Sequence, residues 1–277
     1  MEIPMSTHAG KIAVVTGASG GMGAVFAQRL ADRGYDLLLV ARDKARLESL
    51  AAAITARTGR RAEVLVADLT QDAELARVEE RLRTDTAVRV LINNAGGGLF
   101  GPLATIDPSA ASALIELNVT AFTKLAAAAA AGLGAQGDGV IVNVSSALAV
   151  GVLPISAVYS GTKAYVLSFT QALAKELAGT GVRVQTFMPG ATGTGFWNGS
   201  GLELADIPDG LVMSVTDAVD AAFAGLDAGE TVTVPSLPDS DWSKLRADMQ
   251  TLAPRFSGSE PAARYSDRRT GDTQQPK

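Results

Sequence analysis

Hydrophobic residues along this chain follow two alternating patterns. Apolar runs of about five or six residues have the length and composition of buried parallel strands. Between them lie longer segments whose apolar positions recur three and four residues apart, as on one face of a helix. The predicted strands are 11–16, 36–41, 62–67, 88–92, 139–144, 182–187 and 230–234. The predicted helices are 24–33, 44–57, 72–83, 107–133, 157–178, 216–228 and 239–252. This alternation predicts one α/β domain around a parallel sheet of about seven strands, with helices on both faces.

The same patterning places one domain between two flanking segments. We predict an N-terminal extension over 1–10, the domain over 11–256, and a tail over 257–277. The tail is polar and poor in aliphatic residues, so we expect it to be disordered. Residues 191–208 are rich in glycine but carry Phe196 and Trp197. This segment is expected to be either a mobile lid with an apolar face or a surface loop partly tucked into the core.

Composition narrows the function mainly by exclusion. The chain has no cysteine, which excludes disulfides and suits a reducing cytoplasm, where we expect the protein to act. Its single histidine, His8, argues against a histidine-cluster metal site, and we predict no metal. A net charge of −5 argues against a nucleic-acid partner. We see neither a secretory signal in the first eleven residues nor an apolar run long enough to span a bilayer, so no membrane partner is expected.

A glycine-rich turn, residues 17–23 (GASGGMG), lies between the first strand and the first helix. Glycines permit a tight turn and a close approach of the backbone to a pyrophosphate, and a helix N-terminus favours anions. In this position the residues predict a phosphate cradle, with a purely structural turn as the alternative. The predicted fold is therefore a single-domain, Rossmann-type, doubly wound parallel sheet.

The end of the second strand bears on the choice of dinucleotide. An acidic residue there would bind a ribose 2′-hydroxyl and favour NAD. Here Ala41 is followed by Arg42, whose guanidinium can pair with the 2′-phosphate of NADP. Asp43 comes next and complicates this interpretation. The pattern favours NADP(H) over NAD(H), with Arg42 as a solvated loop charge being the alternative.

Polar residues follow the third and fourth strands. Asp68 and the segment 93–96 (NNAG) stand at the carboxyl ends of these strands, where open parallel sheets bind ligands. Asn118 lies inside a predicted apolar helix, where asparagine is a poor residue. It must be satisfied by local hydrogen bonds or serve a site.

Tyr159 and Lys163 are four residues apart at the start of a predicted helix and should share one face. A cation within about 4–6 Å favours a phenolate over a phenol, so the pair could donate a proton to a carbonyl oxygen or accept one from an alcohol. The alternative is an ordinary aromatic residue beside a solvated charge.

Together these residues resemble the short-chain dehydrogenase/reductase family over about residues 11–235. The matching positions are the TGxxxGxG turn at 16–23, the NNAG segment at 93–96, Asn118, Ser146, the YxxxK pair Tyr159 and Lys163, and Pro189-Gly190. Because Gly20 and Gly21 are both present, the turn also fits the TGxxGxxG pattern of extended members such as sugar-nucleotide epimerases. The NNAG segment favours the shorter type, although Gly97 and Gly98 extend that turn beyond the family pattern.

The resemblance implies catalytic roles. Tyr159 donates a proton to the substrate oxygen in reduction, and Ser146 hydrogen-bonds that oxygen, with Ser145 as the competing serine. Lys163 binds the nicotinamide ribose and lowers the pKa of Tyr159. Asn118 holds a water that links Lys163 to solvent.

The resemblance also implies cofactor contacts. Asp68 meets the adenine, and Asn94 and Gly96 meet the adenosine side. Thr192 and Thr194 meet the nicotinamide carboxamide and the phosphates. The full expected set is Gly17, Ser19, Gly21, Met22, Gly23, Arg42, Asp68, Asn94, Ala95, Gly96, Tyr159, Lys163, Pro189, Gly190, Thr192 and Thr194.

The resulting prediction is an NADP(H)-dependent oxidoreductase that interconverts a ketone or aldehyde and its alcohol by hydride transfer. Apolar residues flank the expected site and predict an apolar small-molecule substrate; they are Leu148, Val150, Leu153, Phe196 and Trp197. A 3-oxoacyl-thioester reductase is the alternative enzyme, and a non-catalytic NADP(H)-binding regulator is the alternative of another class. The resemblance also implies a homo-oligomer, either a dimer or a tetramer.

Overall fold

The structure, a computed structural model, describes residues 8–238 and, beyond them, residues 241, 243–244, 247–248 and 251. Along the chain these residues belong to two units, with the boundary between residues 236 and 237. In the second unit, all the described residues from 241 onward are helical, within the predicted helix 239–252. Most of the predicted extension over 1–10 and all of the predicted tail over 257–277 lie outside the described residues.

A parallel sheet forms the centre of the first unit. The strands are β1 (Ile12–Thr16), β2 (Asp36–Ala41), β3 (Ala62–Val66), β4 (Val88–Asn93), β5 (Gly139–Val144), β6 (Val182–Phe187), β7 (Ala191–Thr192), β8 (Val212–Met213) and β9 (Val232–Thr233). Seven of them form the main sheet in the order β3-β2-β1-β4-β5-β6-β9, and β7 pairs with β8 separately. All neighbours in the main sheet run parallel, which confirms the predicted architecture. The strand order reverses between β1 and β4, and doubly wound folds bind dinucleotides at such a point.

Helices cover both faces of the sheet, as predicted. They are α1 (Gly21–Asp32), α2 (Lys44–Thr58), α3 (Asp72–Thr84), α4 (Pro108–Ile115), α5 (Phe122–Gln136), α6 (Ala157–Glu176) and α7 (Val215–Asp227). Successive residues of β1 point to opposite faces: Ala13 and Val15 pack in the cluster that includes α1, α2 and α7. Ile12 and Val14 pack in the cluster that includes α3, α5 and α6. The continuous apolar runs that predicted the strands reflect this burial on two sides.

The predicted helix 107–133 is interrupted. It begins at Pro108 after Asp107, whose side chain accepts a hydrogen bond from the Ser109 backbone N–H at 3.0 Å. Residues Glu116–Ala121 then form a π-helical turn before α5 continues to Gln136. Wider turns of this kind are frequently found at functional sites, and this one contains Asn118.

The continuous helical stretch Pro108–Gln136 is long and apolar enough to cross a membrane by length and composition alone. Within it, seven residues of α5 are buried, among them Leu125 and Leu133, which pack with α3 and the sheet. A core helix of this composition passes the same test, so the stretch carries little weight as a membrane segment.

Gly132 offers a test of the packing between α5 and α3. A Cβ at this position would lie 2.2 Å from the backbone carbonyl oxygen of Leu82, which no side-chain motion can relieve. We expect Gly132→Ala to lower the free energy of unfolding by about 1–3 kcal/mol. Urea unfolding followed by circular dichroism would measure this change.

The matched control is Gly134→Ala on the same helix. A Cβ on Gly134 meets nothing within 4 Å. Alanine favours helix over glycine by up to about 1 kcal/mol, so this variant should be as stable as the wild type or more so. Equal destabilisation by both substitutions would contradict the described packing.

Candidate active site

The glycine-rich turn between β1 and α1 packs tightly on the turn that follows β4. Gly17 has a φ of +67°, and a Cβ there would lie 2.8 Å from Nδ2 of Asn94. A Cβ on Gly23 would lie 2.2 Å from the carbonyl oxygen of Gly17. The Asn94 amide donates to the carbonyl oxygen of Thr16 at 2.9 Å and joins the two turns. Any larger residue would open this turn, so glycine is required both for the backbone conformation and for space.

A cavity of about 620 Å³ lies along the carboxyl ends of β1 to β4. Its volume is that of a small-molecule or cofactor site. Ten predicted cofactor-binding residues line it: Gly17, Ser19, Gly21, Met22, Arg42, Asp68, Asn94, Ala95, Gly96 and Thr194. Because α1 begins at Gly21, unpaired N–H groups of its first turn favour an anion there. The glycine-lined wall and this helix start fit the phosphates of a dinucleotide.

Six predicted residues do not line this cavity. They are Gly23, Tyr159, Lys163, Pro189, Gly190 and Thr192. Gly23 supports the turn, and the Pro189 carbonyl oxygen accepts the Ala147 N–H at 2.9 Å. Thr192 is buried, and its carbonyl oxygen accepts the indole N–H of Trp197 at 2.8 Å. Through these contacts, Pro189 and Thr192 support the surrounding structure.

Sequence reasoning missed several lining residues. They are Gly20, Ala41, Asp43, Arg46, Ala67, Leu69, Thr70, Leu117, Gly195 and Phe196. Of these, Phe196 was expected to flank the substrate and not to line the cofactor cavity. Most of them neighbour a predicted residue along the chain, and that adjacency is the signal that could have found them. Leu117 is exposed to the cavity through the π-helical turn, which no sequence pattern indicated.

At the β2 end of the cavity, Asp43 is the N-cap residue of α2. Its carboxylate accepts the Arg46 backbone N–H at 3.0 Å and lies 3.3 Å from Nε of Arg46. Arg42, which precedes it, is exposed and lines the cavity. Asp43 therefore acts as a helix cap, and the residue at the end of β2 itself is Ala41. The acidic group that would bind a ribose 2′-hydroxyl is absent from that position.

Asp68 lines the same cavity and is near enough to Arg42 to feel its charge. The backbone N–H of Thr70 donates to its carboxylate at 3.0 Å and the Thr70 hydroxyl donates at 2.7 Å. These hydrogen bonds lower the pKa of Asp68, and the nearby positive charge of Arg42 lowers it further. Asp68 is therefore an oriented anion, able to accept hydrogen bonds from a ligand.

Tyr159 and Lys163 lie on one face in the first turns of α6, as the spacing predicted. Both side chains are buried, each with 6% of its surface exposed. The Lys163 ammonium donates to the Val144 carbonyl oxygen at 3.0 Å, and its Nζ lies 5.8 Å from the centre of the Tyr159 ring. This bond ties α6 to the carboxyl end of β5.

Burial controls the pKa values of this pair. Removal from water raises the pKa of the Tyr159 phenol to about 12, which hydrogen bonding to Ser146 only partly opposes. Burial also lowers the pKa of the Lys163 ammonium to about 8. The predicted lowering of the Tyr159 pKa is therefore wrong for this structure, because desolvation is the dominant cause and the hydrogen bond to Ser146 is the opposing one.

The two candidate serines differ in their partners. The Ser145 hydroxyl donates to the backbone carbonyl oxygen of Lys163 at 2.7 Å, so it is used to hold α6 on β5. The Ser146 hydroxyl accepts the Leu148 N–H at 3.1 Å and lies beside the Tyr159 phenol. A hydroxyl retains a second acceptor site and its own proton after one such bond. Ser146 is thus the serine placed to share a substrate oxygen with Tyr159.

Asn118 is satisfied by local hydrogen bonds and also lies at the site. Its amide oxygen accepts the Gly97 N–H at 2.9 Å, and its amide nitrogen donates to the Gly97 carbonyl oxygen at 3.0 Å. The same nitrogen donates to the Thr162 hydroxyl at 3.1 Å. A Cβ on Gly96 would lie 3.4 Å from Nζ of Lys163. Asn118 therefore joins the turn after β4 to α6, close to the ammonium.

An apolar cluster packs around Tyr159. The rings of Phe100, Phe196 and Trp197 pack on it or on one another, with Leu148 beside them. Of the residues expected to flank the site, Val150 and Leu153 are instead exposed, by 63% and 43%. The segment 191–208 is thus folded over the site, with Trp197 in the core, which matches the tucked alternative.

No group of three or more potential metal ligands was found among the residues that the structure describes.

A family profile described as short chain dehydrogenase matches residues 11–203, which is more than half of the chain. The chain belongs to the short-chain dehydrogenase family. As a short-chain dehydrogenase it is an oxidoreductase that acts on CH–OH groups.

Solved structures of other short-chain dehydrogenases resemble this one over most of its length. A short-chain dehydrogenase from Sphingobium yanoikuyae in complex with NADPH is 42% identical, with a TM-score of 0.87, and the match covers 92% of this chain and all of that one. The bulky-bulky ketone specific alcohol dehydrogenase from Comamonas testosteroni is 40% identical, with a TM-score of 0.82, over 92% of this chain and 98% of that one.

A curated relative matches over a shorter region. The very-long-chain 3-oxoacyl-CoA reductase of Anas platyrhynchos is 33% identical over 187 residues, which is 65% of this chain. The match covers 59% of that relative's length. The relative therefore has a substantial part with no counterpart in the alignment.

The buried ammonium of Lys163 should make stability depend on pH. Its pKa is about 8 in the folded protein against an ordinary value of 10.5. Between these values the unfolded chain binds more protons, so stability rises with pH across this window and the burial cost is greatest below it. Lys163→Met lacks this gain. From pH 7 to 9.5, the wild type should gain on the order of 2 kcal/mol relative to the variant.

Urea unfolding of both proteins at the two pH values would measure this difference. The difference in unfolding free energy between wild type and variant is taken at each pH. This subtraction cancels the contributions of titrating groups that the two proteins share. A difference in unfolding free energy that stays constant with pH would contradict the described burial of the ammonium.

Proposed function

We propose that this short-chain dehydrogenase is an NADP(H)-dependent carbonyl reductase that interconverts an apolar ketone and its secondary alcohol. The observation that carries the proposal is the joint burial of Ser146, Tyr159 and Lys163 at the start of α6 and the end of β5. Gly96, which lines the dinucleotide-sized cavity, stands next to Lys163. The NADPH-bound relative and the ketone-specific relative support this assignment.

In the proposed reduction, each buried polar group has a task. NADPH, when bound, supplies the hydride. Tyr159, whose pKa of about 12 keeps the phenol protonated at neutral pH, gives its proton to the carbonyl oxygen. The Ser146 hydroxyl donates a hydrogen bond to that oxygen while negative charge develops on it. Lys163, whose pKa is about 8, is the nearby acid that can return a proton to the phenolate.

The preference for NADP(H) rests on the β2 end of the cavity. Two arginines line the cavity there: Arg46 pairs with Asp43, whereas Arg42 forms no ion pair with a carboxylate within the described residues. Asp43 is engaged by α2 and would not repel a phosphate as strongly as a free carboxylate. A guanidinium can bind a 2′-phosphate with two parallel hydrogen bonds.

The apolar cluster around Tyr159 supports an apolar substrate, because a charged substituent would be desolvated there without a partner. A 3-oxoacyl-thioester reductase is the second candidate, and the 33% identity to the 3-oxoacyl-CoA reductase favours it. A thioester places the reacting ketone on an extended chain, so the two candidates separate on a panel of simple ketones and 3-oxoacyl thioesters.

We also propose that the protein forms a homo-oligomer. Ile115 on α4 and Tyr165 on α6 leave 46% and 38% of their surfaces exposed, although both are large and apolar in part. Exposed apolar groups that form a contiguous patch mark protein–protein contacts, and we propose that these two helices contribute to such a patch.

Replacing the proposed proton donor tests the mechanism. Tyr159→Phe should lower kcat for NADPH-dependent ketone reduction by about 10²- to 10⁴-fold, because the carbonyl oxygen loses its acid. Tyr165→Phe is the matched control on the same helix. Among the described residues, the Tyr165 hydroxyl hydrogen-bonds that of Thr123 alone, at 2.9 Å, and activity should persist. NADPH oxidation at 340 nm measures both.

Cofactor binding, followed by NADPH fluorescence, should survive in Tyr159→Phe. Wild-type protein that binds NADPH but reduces no ketone or thioester would favour the non-catalytic regulator instead. Turnover of thioesters alone would favour the second candidate.

The cofactor preference is tested at Arg42. Arg42→Ala should lower the ratio of kcat/KM for NADPH over NADH by about 10- to 100-fold, the value of a charge-assisted hydrogen bond to phosphate. Lys44→Ala is the control, since Lys44 is exposed and pairs with Glu48 at 3.7 Å. An unchanged ratio in Arg42→Ala would show that this residue does not select the cofactor.

A further inference from the structure

Phe196 lines the dinucleotide cavity and also packs beside Tyr159, which does not itself line that cavity. The centre of the Phe196 ring lies 5.6 Å from that of the Tyr159 ring. It also meets Trp197 edge to face at 5.2 Å. A group that approaches the Tyr159 hydroxyl from the cavity therefore shares space with this ring.

The missing side chain of Gly98 makes room for Phe196. A Cβ on Gly98 would lie 2.6 Å from Cζ and 3.0 Å from Cε1 of Phe196, well inside van der Waals contact, and 3.2 Å from Cε2 of Phe100. The φ of Gly98 is not in the left-handed region. Glycine is therefore needed here for space and not for the backbone conformation. This gives a physical role to Gly98, which lies outside the NNAG segment.

The backbone on both sides of Phe196 is held in place. Trp197 is buried and donates its indole N–H to Thr192 at 2.8 Å. Farther along, the Ser200 carbonyl oxygen accepts the Phe100 N–H at 2.7 Å. The ring of Phe196 is only partly buried, so it is the part of this segment that can yield to a substrate.

We propose that Phe196, seated over Gly98, is a specificity-determining residue whose ring limits the size of the ketone substituent that fits beside Tyr159. This inference rests on the proposed ketone reduction. It adds a steric filter to that function, because a bulkier substituent must displace the aromatic ring farther from its packed position.

The first test compares two aryl ketones, acetophenone and benzophenone, which differ by a methyl against a phenyl substituent. In Phe196→Ala, the ratio of kcat/KM for benzophenone over acetophenone should rise by about tenfold or more. Phe169→Ala is the matched control, because Phe169 packs on Phe122 at 5.4 Å, outside the apolar cluster around Tyr159. Its ratio should equal that of the wild type.

Gly98→Ala tests the packing of the Phe196 ring on Gly98. The added methyl group should displace the flexible ring and change the same ratio by about threefold or more while Phe196 is present. In a Phe196→Ala background, Gly98→Ala should have a smaller effect on the ratio, because only the 3.2 Å approach to Cε2 of Phe100 remains. Independent effects of the two substitutions would overturn the proposed pairing.

A spectroscopic readout needs no turnover. The chain has two tryptophans, so Trp242→Phe leaves Trp197 as the only indole. In that background, Phe196→Ala and Gly98→Ala should both shift the Trp197 emission maximum, because each moves or removes the ring that packs on it. Phe169→Ala should leave the emission unchanged.

These outcomes separate the inference from the function on which it rests. Wild-type protein that reduces no ketone would overturn the proposed function and the filter with it. Wild-type reduction with the same substrate ratio in Phe196→Ala would overturn the filter alone. An unshifted Trp197 emission in Gly98→Ala would overturn the proposed contact between Gly98 and the Phe196 ring.

Discussion

The ammonium group of Lys163 is buried in the protein interior, and several segments of the chain are arranged around it. Its hydrogen bond to the Val144 carbonyl oxygen brings the start of α6 to the end of β5. The turn after β4 can approach it because Gly96 has no side chain. Burial of a cation is costly without such partners. These contacts therefore offset part of the cost of burying the Lys163 ammonium.

Asn118 extends this arrangement to the helix on the other side. Its side chain bonds both backbone polar groups of Gly97 and the hydroxyl of Thr162, so one amide links the turn after β4, the π-helical turn and α6. The wider helical turn is thus associated with a polar residue that would otherwise be unsatisfied in an apolar environment. It also exposes Leu117 to the cofactor cavity.

The removal of water that lowers the pKa of Lys163 raises the pKa of Tyr159, since burial disfavours the charged form of each group. Phe100, Phe196 and Trp197 contribute to this dry environment from two segments about a hundred residues apart in the chain. The apolar surroundings that would suit the proposed apolar substrate therefore also raise the pKa of the phenol. In that proposal, substrate preference and acid strength have a common physical origin.

The sequence by itself determined the sheet, the order of its elements and the residues of the glycine-rich turn, because these depend on local patterns. Strands buried on both faces need continuous apolar runs, and a turn that approaches another backbone needs glycine at Gly17 and Gly23. It also placed Tyr159 and Lys163 on one face, since helical spacing alone decides that.

Only the tertiary structure decided the π-helical turn, the direction of the Tyr159 pKa and the contact between Gly98 and Phe196. An α-helix and a π-helical turn have similar apolar spacing, and the partner of Asn118 lies 21 residues away in the chain. The pKa depends on how much water the packed rings exclude, and the capping role of Asp43 depends on where α2 begins. Each of these features arises where segments distant in the chain meet, or where an element starts, and residue spacing along one element carries no information about such contacts.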